Sequence, residues 1–137
     1  MEADLRTYII GQASISAVIS TRMFLLNAPQ GATRPLVVYR LMGSQPHKLI
    51  RNYCGLTTDT FEIDCQSYTD TGAMALKELI RTKLDTYRGT MGSTWVSSCN
   101  MTDESNDYTT DQAGRDKGVY HCLLEFEITH TETVPSV

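Results

Sequence analysis

Glu62 and Asp64 stand two apart in Thr60–Tyr68, and Glu125 and Glu127 stand two apart in Val119–Thr131. Residues two apart in a strand share a face, so pairing of these stretches would put four carboxylates on one sheet face. Clustered carboxylates can hold Mg²⁺, which opens the chemistry of a small metal-dependent hydrolase. The plainer reading is a solvated or subunit-facing strand surface, and it is preferred. The sequence holds no HExxH, no GxSxG, no phosphate loop and no Ser-His-Asp set that it singles out by itself. His47, His121 and His130 are isolated. Cys54, Cys65, Cys99 and Cys122 form no CxxC pair, which argues against zinc and for reduced thiols. Asp103–Asp107 lacks the glycine and final glutamate of a calcium loop. The expectation is a chain that is not an enzyme, with no catalytic residue, metal or cofactor.

The elements that would carry these residues are partly legible. Phe61, Ile63 and Cys65 alternate with Glu62, Asp64 and Gln66, the period of a half-buried strand. Asp70 or Thr71 can then cap a helix with Ala73, Leu76, Ile80, Leu84 and Tyr87 on one stripe and Lys77, Glu78, Arg81 and Lys83 largely off it. Gly89 is placed to stop that helix. Tyr120, Cys122, Leu124, Phe126 and Ile128 alternate along the last strand. Phe61, Ile63, Leu76, Ile80, Leu124 and Phe126 are expected to be buried together.

Elsewhere, residues 2–11 suggest a short helix, Ser14–Ile19 a further turn or two, Arg22–Leu26 a short strand, and Leu36–Met42 a central one. Gly43–Gly55, with Lys48 and Arg51, is a basic loop or loose hairpin arm. Gly89–Gly92 is a turn, and Ser93–Met101 is a strand in which Trp95 belongs to the core. Thr102–Gly118, with Asp103, Glu104, Asp107, Tyr108 and Arg115, is a long loop or hairpin excursion suited to touching a partner. Both polar segments are expected to be mobile in the free subunit, and the tail Glu132–Val137 to be loose. The fold class is α+β: a mostly antiparallel sheet of about five strands with two main helices on one face, in one domain spanning residues 1–137.

The net charge of −4 argues against a simple nucleic-acid binder. No apolar run approaches the ~20 residues of a membrane span, so no membrane partner is expected. The acidic start Met1–Asp4 lacks a signal-peptide pattern, and a soluble intracellular product is expected.

Three pieces then occur in order. Ala28-Pro29-Gln30-Gly31 precedes Pro35–Arg40, Phe61–Cys65 leads into an Ala/Leu helix, and a polar loop with Asp107-Tyr108 precedes Gly118–Phe126. From about Leu5 to Thr129 the chain resembles the tail completion, or tail terminator, proteins of long-tailed bacteriophages. The resemblance implies a small α+β subunit that forms a homo-hexameric ring, assembled in the host cytoplasm and ending up in the virion tail. Such a ring caps the tail tube protein, stops tube growth, joins the tail to the head–tail connector protein and passes DNA without specific binding. It carries over no catalytic residue and no residue-by-residue partner contacts. The nearest rival is a head–tail stopper or adaptor; a monomeric binding module and the metal-dependent hydrolase are the others.

Two unlike charged surfaces fit a ring built from heterologous contacts. Glu62, Asp64, Glu125 and Glu127 form the acidic one. Lys48, Arg51, Lys77, Arg81 and Lys83 form the basic one, with the helix residues on the helix's outer side. The acids either line the channel or meet a neighbour's basic groups. The preferred expectation puts some of them on the channel.

Overall fold

The computed structural model describes residues 1–29, 32–48, 53–110 and 118–131, with backbone alone for residues 47, 48, 53, 54 and 110. The chain opens with α1 (Glu2–Ile10) and α2 (Ala13–Ile19), which bury Leu5, Ile9, Ile15 and Ile19. A short β1 (Met23–Leu25) follows, then β2 (Leu36–Lys48) and β3 (Tyr53–Ser67). Next come α3 (Asp70–Leu84), β4 (Gly89–Met91), β5 (Thr94–Thr110) and β6 (Gly118–Thr131). The strands form one sheet in the order β1-β2-β3-β6-β5-β4, with β1 parallel to β2 and every other pair antiparallel.

Among the described residues this is an α+β arrangement with two corrections: six strands in a mixed sheet rather than about five, and three helices rather than two main ones. Gly89–Met91, expected as a turn, is the sixth strand because it pairs with Thr94–Val96. The parallel pairing of β1 gives the sheet its mixed character.

The centre follows from the alternation. Phe61 lies opposite Phe126, Ile63 opposite Leu124 and Cys65 opposite Cys122. All six are buried, and they share one core with Leu76, Ile80 and Leu84 of α3, as expected. Cys65, Cys99 and Cys122 are free thiols there. Burial pushes Cys99 up to about 12, so it behaves as a small hydrophobe.

The helix is capped by Thr69, one residue earlier than expected, whose hydroxyl oxygen accepts from the Gly72 amide at 3.1 Å. It also ends earlier, at Leu84. The following residues turn onto the flank of β5: the Thr86 amide donates to the Cys99 carbonyl at 2.7 Å, and Asp85 Oδ1 accepts from the Met101 amide at 3.2 Å. Thr86 takes a positive φ of 64° there. Those bonds occupy the β5 edge as far as Met101.

Two bulges interrupt the ladders at one level. Between Leu41 and Gly43 in β2, and between Met101 and Asp103 in β5, one extra residue is inserted. Leu41 and Met101 lie opposite Phe61 and Phe126 respectively. Each bulge therefore flanks the central phenylalanine pair and switches which residues of its strand face the helices. Beyond the bulges the strands run on as hairpin arms. The β2–β3 arm extends past one end of the sheet and the β5–β6 arm past the other.

Candidate functional site

The face of the sheet away from the helices carries the four acids. Glu62 lies opposite Glu125, Asp64 opposite Leu123 and Thr60 opposite Glu127. The expected constellation therefore forms. Like charges directly opposite one another repel, and the sheet supplies compensation on both sides. Arg40 of β2 pairs with Glu62 at 3.3 Å, and the Thr102 hydroxyl of β5 donates to Glu125 Oε1 at 3.2 Å. Asp64 accepts from Gln66 Nε2 at 2.9 Å and lies 2.8 Å from His121 Nδ1. Arg34 Nε donates in turn to Gln66 Oε1 at 3.2 Å. Glu127 is exposed.

The face is thus mixed rather than acidic throughout. Sequence reasoning missed Arg34, Arg40 and His121, which line an open cleft of about 450 Å³ with Leu26, Glu62 and Asp64. The available signal was register: once β2 is set against β3, Arg40 must face Glu62. Among the described residues, no three His, Cys, Asp or Glu side chains converge to hold a metal ion.

His121 also lies 2.8 Å from the Thr109 hydroxyl, so Thr109, His121 and Asp64 stand in series. A hydroxyl, an imidazole and a carboxylate in series are the parts of an acyl-transfer relay. Here the series runs across β5, β6 and β3 in turn and satisfies each polar group it joins. These contacts tie the far end of the β5–β6 arm to β3.

The basic groups are placed differently from the expectation. Lys77 is not on the outer side of α3. It is only 8% exposed, and its Nζ donates to Glu104 Oε1 at 2.5 Å. The bulge after Met101 turns Glu104 toward the helix face, and this contact holds Lys77 inward. Arg81 is partly exposed, 3.8 Å from Glu78. Lys48 ends β2, while Arg51 and Arg115 lie outside the described residues.

The two polar segments, each expected as a loop or a hairpin arm, are strand over their described residues. Ser44, Gln45 and Pro46 pair with Asp59, Thr58 and Thr57, and Asp103, Glu104, Asp107 and Tyr108 pair with Glu125, Leu124, His121 and Tyr120. Residues 49–52, 111–117 and the tail Glu132–Val137 lie outside the described residues. Tyr108 stacks on Tyr120 at 4.9 Å between ring centroids and covers Gly118, where any Cβ would overlap the Tyr108 ring. Trp95, expected in the core, is exposed beneath the Arg88 guanidinium.

A second aspartate–histidine pair occupies the helix-side face. His130 Nε2 lies 2.7 Å from Asp59 Oδ2, and both side chains are buried. Burial alone would raise the Asp59 pKa, but hydrogen bonding, chiefly with His130, holds it below the usual carboxylate value. The hydrogen bond to Asp59 raises His130 above the ordinary imidazole value, against the effect of burial. Asp59 Oδ1 has no hydrogen-bond partner among the described residues.

Residues 3–131 match the protein family Tail completion protein gp17. No curated protein matches the sequence. Among solved structures, a chain from the virion of a native gene transfer agent particle aligns with a TM-score of 0.64 at 12% identity. The alignment covers 96% of this chain and 91% of that one, a likeness of fold. A second solved chain aligns over 99% of both chains at 13% identity, with a TM-score of 0.46. With the family match running from the first helix to the last strand, the chain belongs to the Tail completion protein gp17 family and is a structural protein of the phage tail.

Proposed function

We propose that this chain is a tail terminator: it assembles as a homo-hexameric ring at the head-proximal end of the tail tube, ends tube growth there and joins the tail to the head connector. The observation that carries the reading is the family match over residues 3–131. The architecture supports it. Helices cover one sheet face and leave the other polar, a division suited to a subunit with an outer side and a channel side. In this reading the face of Glu62, Asp64, Glu125 and Glu127 lines the channel. Its acids repel phosphate, and Arg40 is held by Glu62, so DNA slides without the salt-dependent affinity that free cations would add. The role needs no catalytic group.

The test is a phage lacking this chain. Tails should grow to irregular length and remain unjoined to heads. Tails of normal length on filled heads would sink the reading, and loss confined to the head side would favour a stopper or adaptor instead. Glu125→Lys with Glu127→Lys should leave rings intact and slow DNA ejection. Rings that fall apart on those changes would place the acids between subunits.

A further inference from the structure

The sheet ends in two half-covered edges, and the uncovered halves are complementary. β1 pairs with β2 only at Val37–Tyr39. Among the described residues, no strand flanks β2 from Leu41 to Lys48 on its outer side. At the opposite edge, β4 and the residues after α3 cover β5 as far as Met101, and no described strand flanks Thr102–Thr110. An open strand edge is a template for another strand; on the β5 side the Glu104 and Tyr108 amides donate to Asp103 Oδ1 and Asp107 Oδ1 at 2.8 Å each, local bonds that pairing would replace.

We propose that neighbouring copies join through these edges, β2 Leu41–Lys48 of one copy pairing antiparallel with β5 Thr102–Thr110 of the next. The proposal rests on the ring reading above. Four observations select this occupant. The directions agree: β2 and β5 run antiparallel within one sheet, so copies side by side in the same orientation present antiparallel edges. The charges agree: residues 41–48 hold His47 and Lys48 and no acid, whereas residues 102–110 hold Asp103, Glu104 and Asp107 and no base.

The faces agree as well. Opposed residues of adjacent strands must face the same side. Leu41 and Ser44 lie opposite Phe61 and Asp59, and Asn106 and Tyr108 lie opposite Cys122 and Tyr120, all on the helix-side face. Setting Ser44 against Asn106 brings Leu41, 37% exposed, beside Tyr108, 50% exposed, so two exposed apolar side chains cover each other. It also brings Lys48 to the neighbourhood of Asp103.

The fourth agreement is closure. This register staggers successive copies by about six residues, roughly 20 Å at ~3.3 Å per residue. The four long strands span roughly 19 Å at ~4.8 Å each. The ratio tilts the strands ~45° from the ring axis, at the upper end of the ~35–45° of closed barrels. Pro46 removes one donor from the open edge, the kind of device that deters indiscriminate pairing, and Leu41–Gln45 remain free to pair.

The experiment introduces Ser44→Cys and Asn106→Cys together in a Cys54→Ser background, oxidises purified chain and assembled tails, and reads denaturing gels without reductant. Pairing predicts a covalent ladder beyond the dimer, and chains with either cysteine alone stop at the dimer. A second set uses charge. Asp103→Lys with Asp107→Lys should raise the concentration needed for assembly at least tenfold, and Lys48→Glu should recover part of that loss. Rings that form by mass but give no ladder and ignore the charge changes overturn the edge pairing and leave the ring standing. A chain monomeric both in solution and on tails overturns the ring reading, and the pairing falls with it.

Discussion

Strands β3 and β6 carry one aspartate–histidine pair on each face of the sheet, with the same diagonal geometry. Asp59 lies opposite Ile128, with His130 two residues farther along β6, and Asp64 lies opposite Leu123, with His121 two residues away. On the helix side, His130 and Asp59 are 7% and 6% exposed; on the open side, His121 and Asp64 are 14% and 16% exposed. The surroundings differ more than these numbers. The open pair belongs to a polar network with Gln66 and Thr109. The buried pair adjoins the core, where an ionised carboxylate depends on its histidine. Residue type and spacing do not distinguish the two pairs; the covering layer does.

The largest expected break in this comparison is Asp59→Ala. Removing one partner of a buried ion pair costs about 3–5 kcal/mol, because the other is left buried and uncompensated. Denaturant midpoints measure it, and a near-neutral result would make the two pairs equivalent. On the same face, Leu76→Ala should cost about 2–5 kcal/mol through the cavity it leaves. A neutral outcome there would undo the packing of α3 on β3 and β6.

The next effect is in pH. His130 has a raised pKa in the fold, so its contribution is fully present below the ordinary value of 6.5 and is lost as pH rises through the raised one. Asp59 has a lowered pKa, so its contribution is present above 3.8 and is lost as pH falls through the lowered value. Stability should therefore hold between about pH 4 and pH 6.5 and decline on the alkaline side. Urea melts across pH should show that decline, and His130→Gln should flatten it. An unchanged profile in His130→Gln would separate the pair from stability. The smallest effect belongs to the open face. Asp64→Asn keeps the shape and weakens one hydrogen bond, so it should cost about 0.5–1.5 kcal/mol, and a larger loss would mark the Thr109–His121–Asp64 series as a fold determinant rather than a tie on one arm.

The central strands were legible because β3 and β6 keep strict alternation between a covered and an open face. The helix was legible because its stripe meets that covered face. β2 and β5 were less so, for the same reason at both edges. Each carries a bulge beside the Phe61–Phe126 level, so its period of two changes phase partway. Beyond the bulge each strand continues with exposed, mostly polar residues such as Ser44 and Gln45, or Asp103 and Asn106. Polarity there goes with exposure, and a sequence reading cannot separate a loop from a hairpin arm. Lys77 was misplaced by the same shift, because Glu104 faces the helix only after the phase change.

By itself, the sequence determined the local facts: which residues alternate, where a helix stripe lies, which side chains must be buried together, and that four acids share one face if β3 meets β6. These follow from backbone period and side-chain polarity, which act within a few residues. Only the tertiary structure decided the rest. Strand order set Arg40 against Glu62 and His121 between Asp64 and Thr109, the bulges turned Glu104 toward Lys77, and partial cover by β1, β4 and the turn after α3 left the two arm edges without a described strand beside them. Those outcomes depend on register between segments far apart in the chain, which no local pattern encodes.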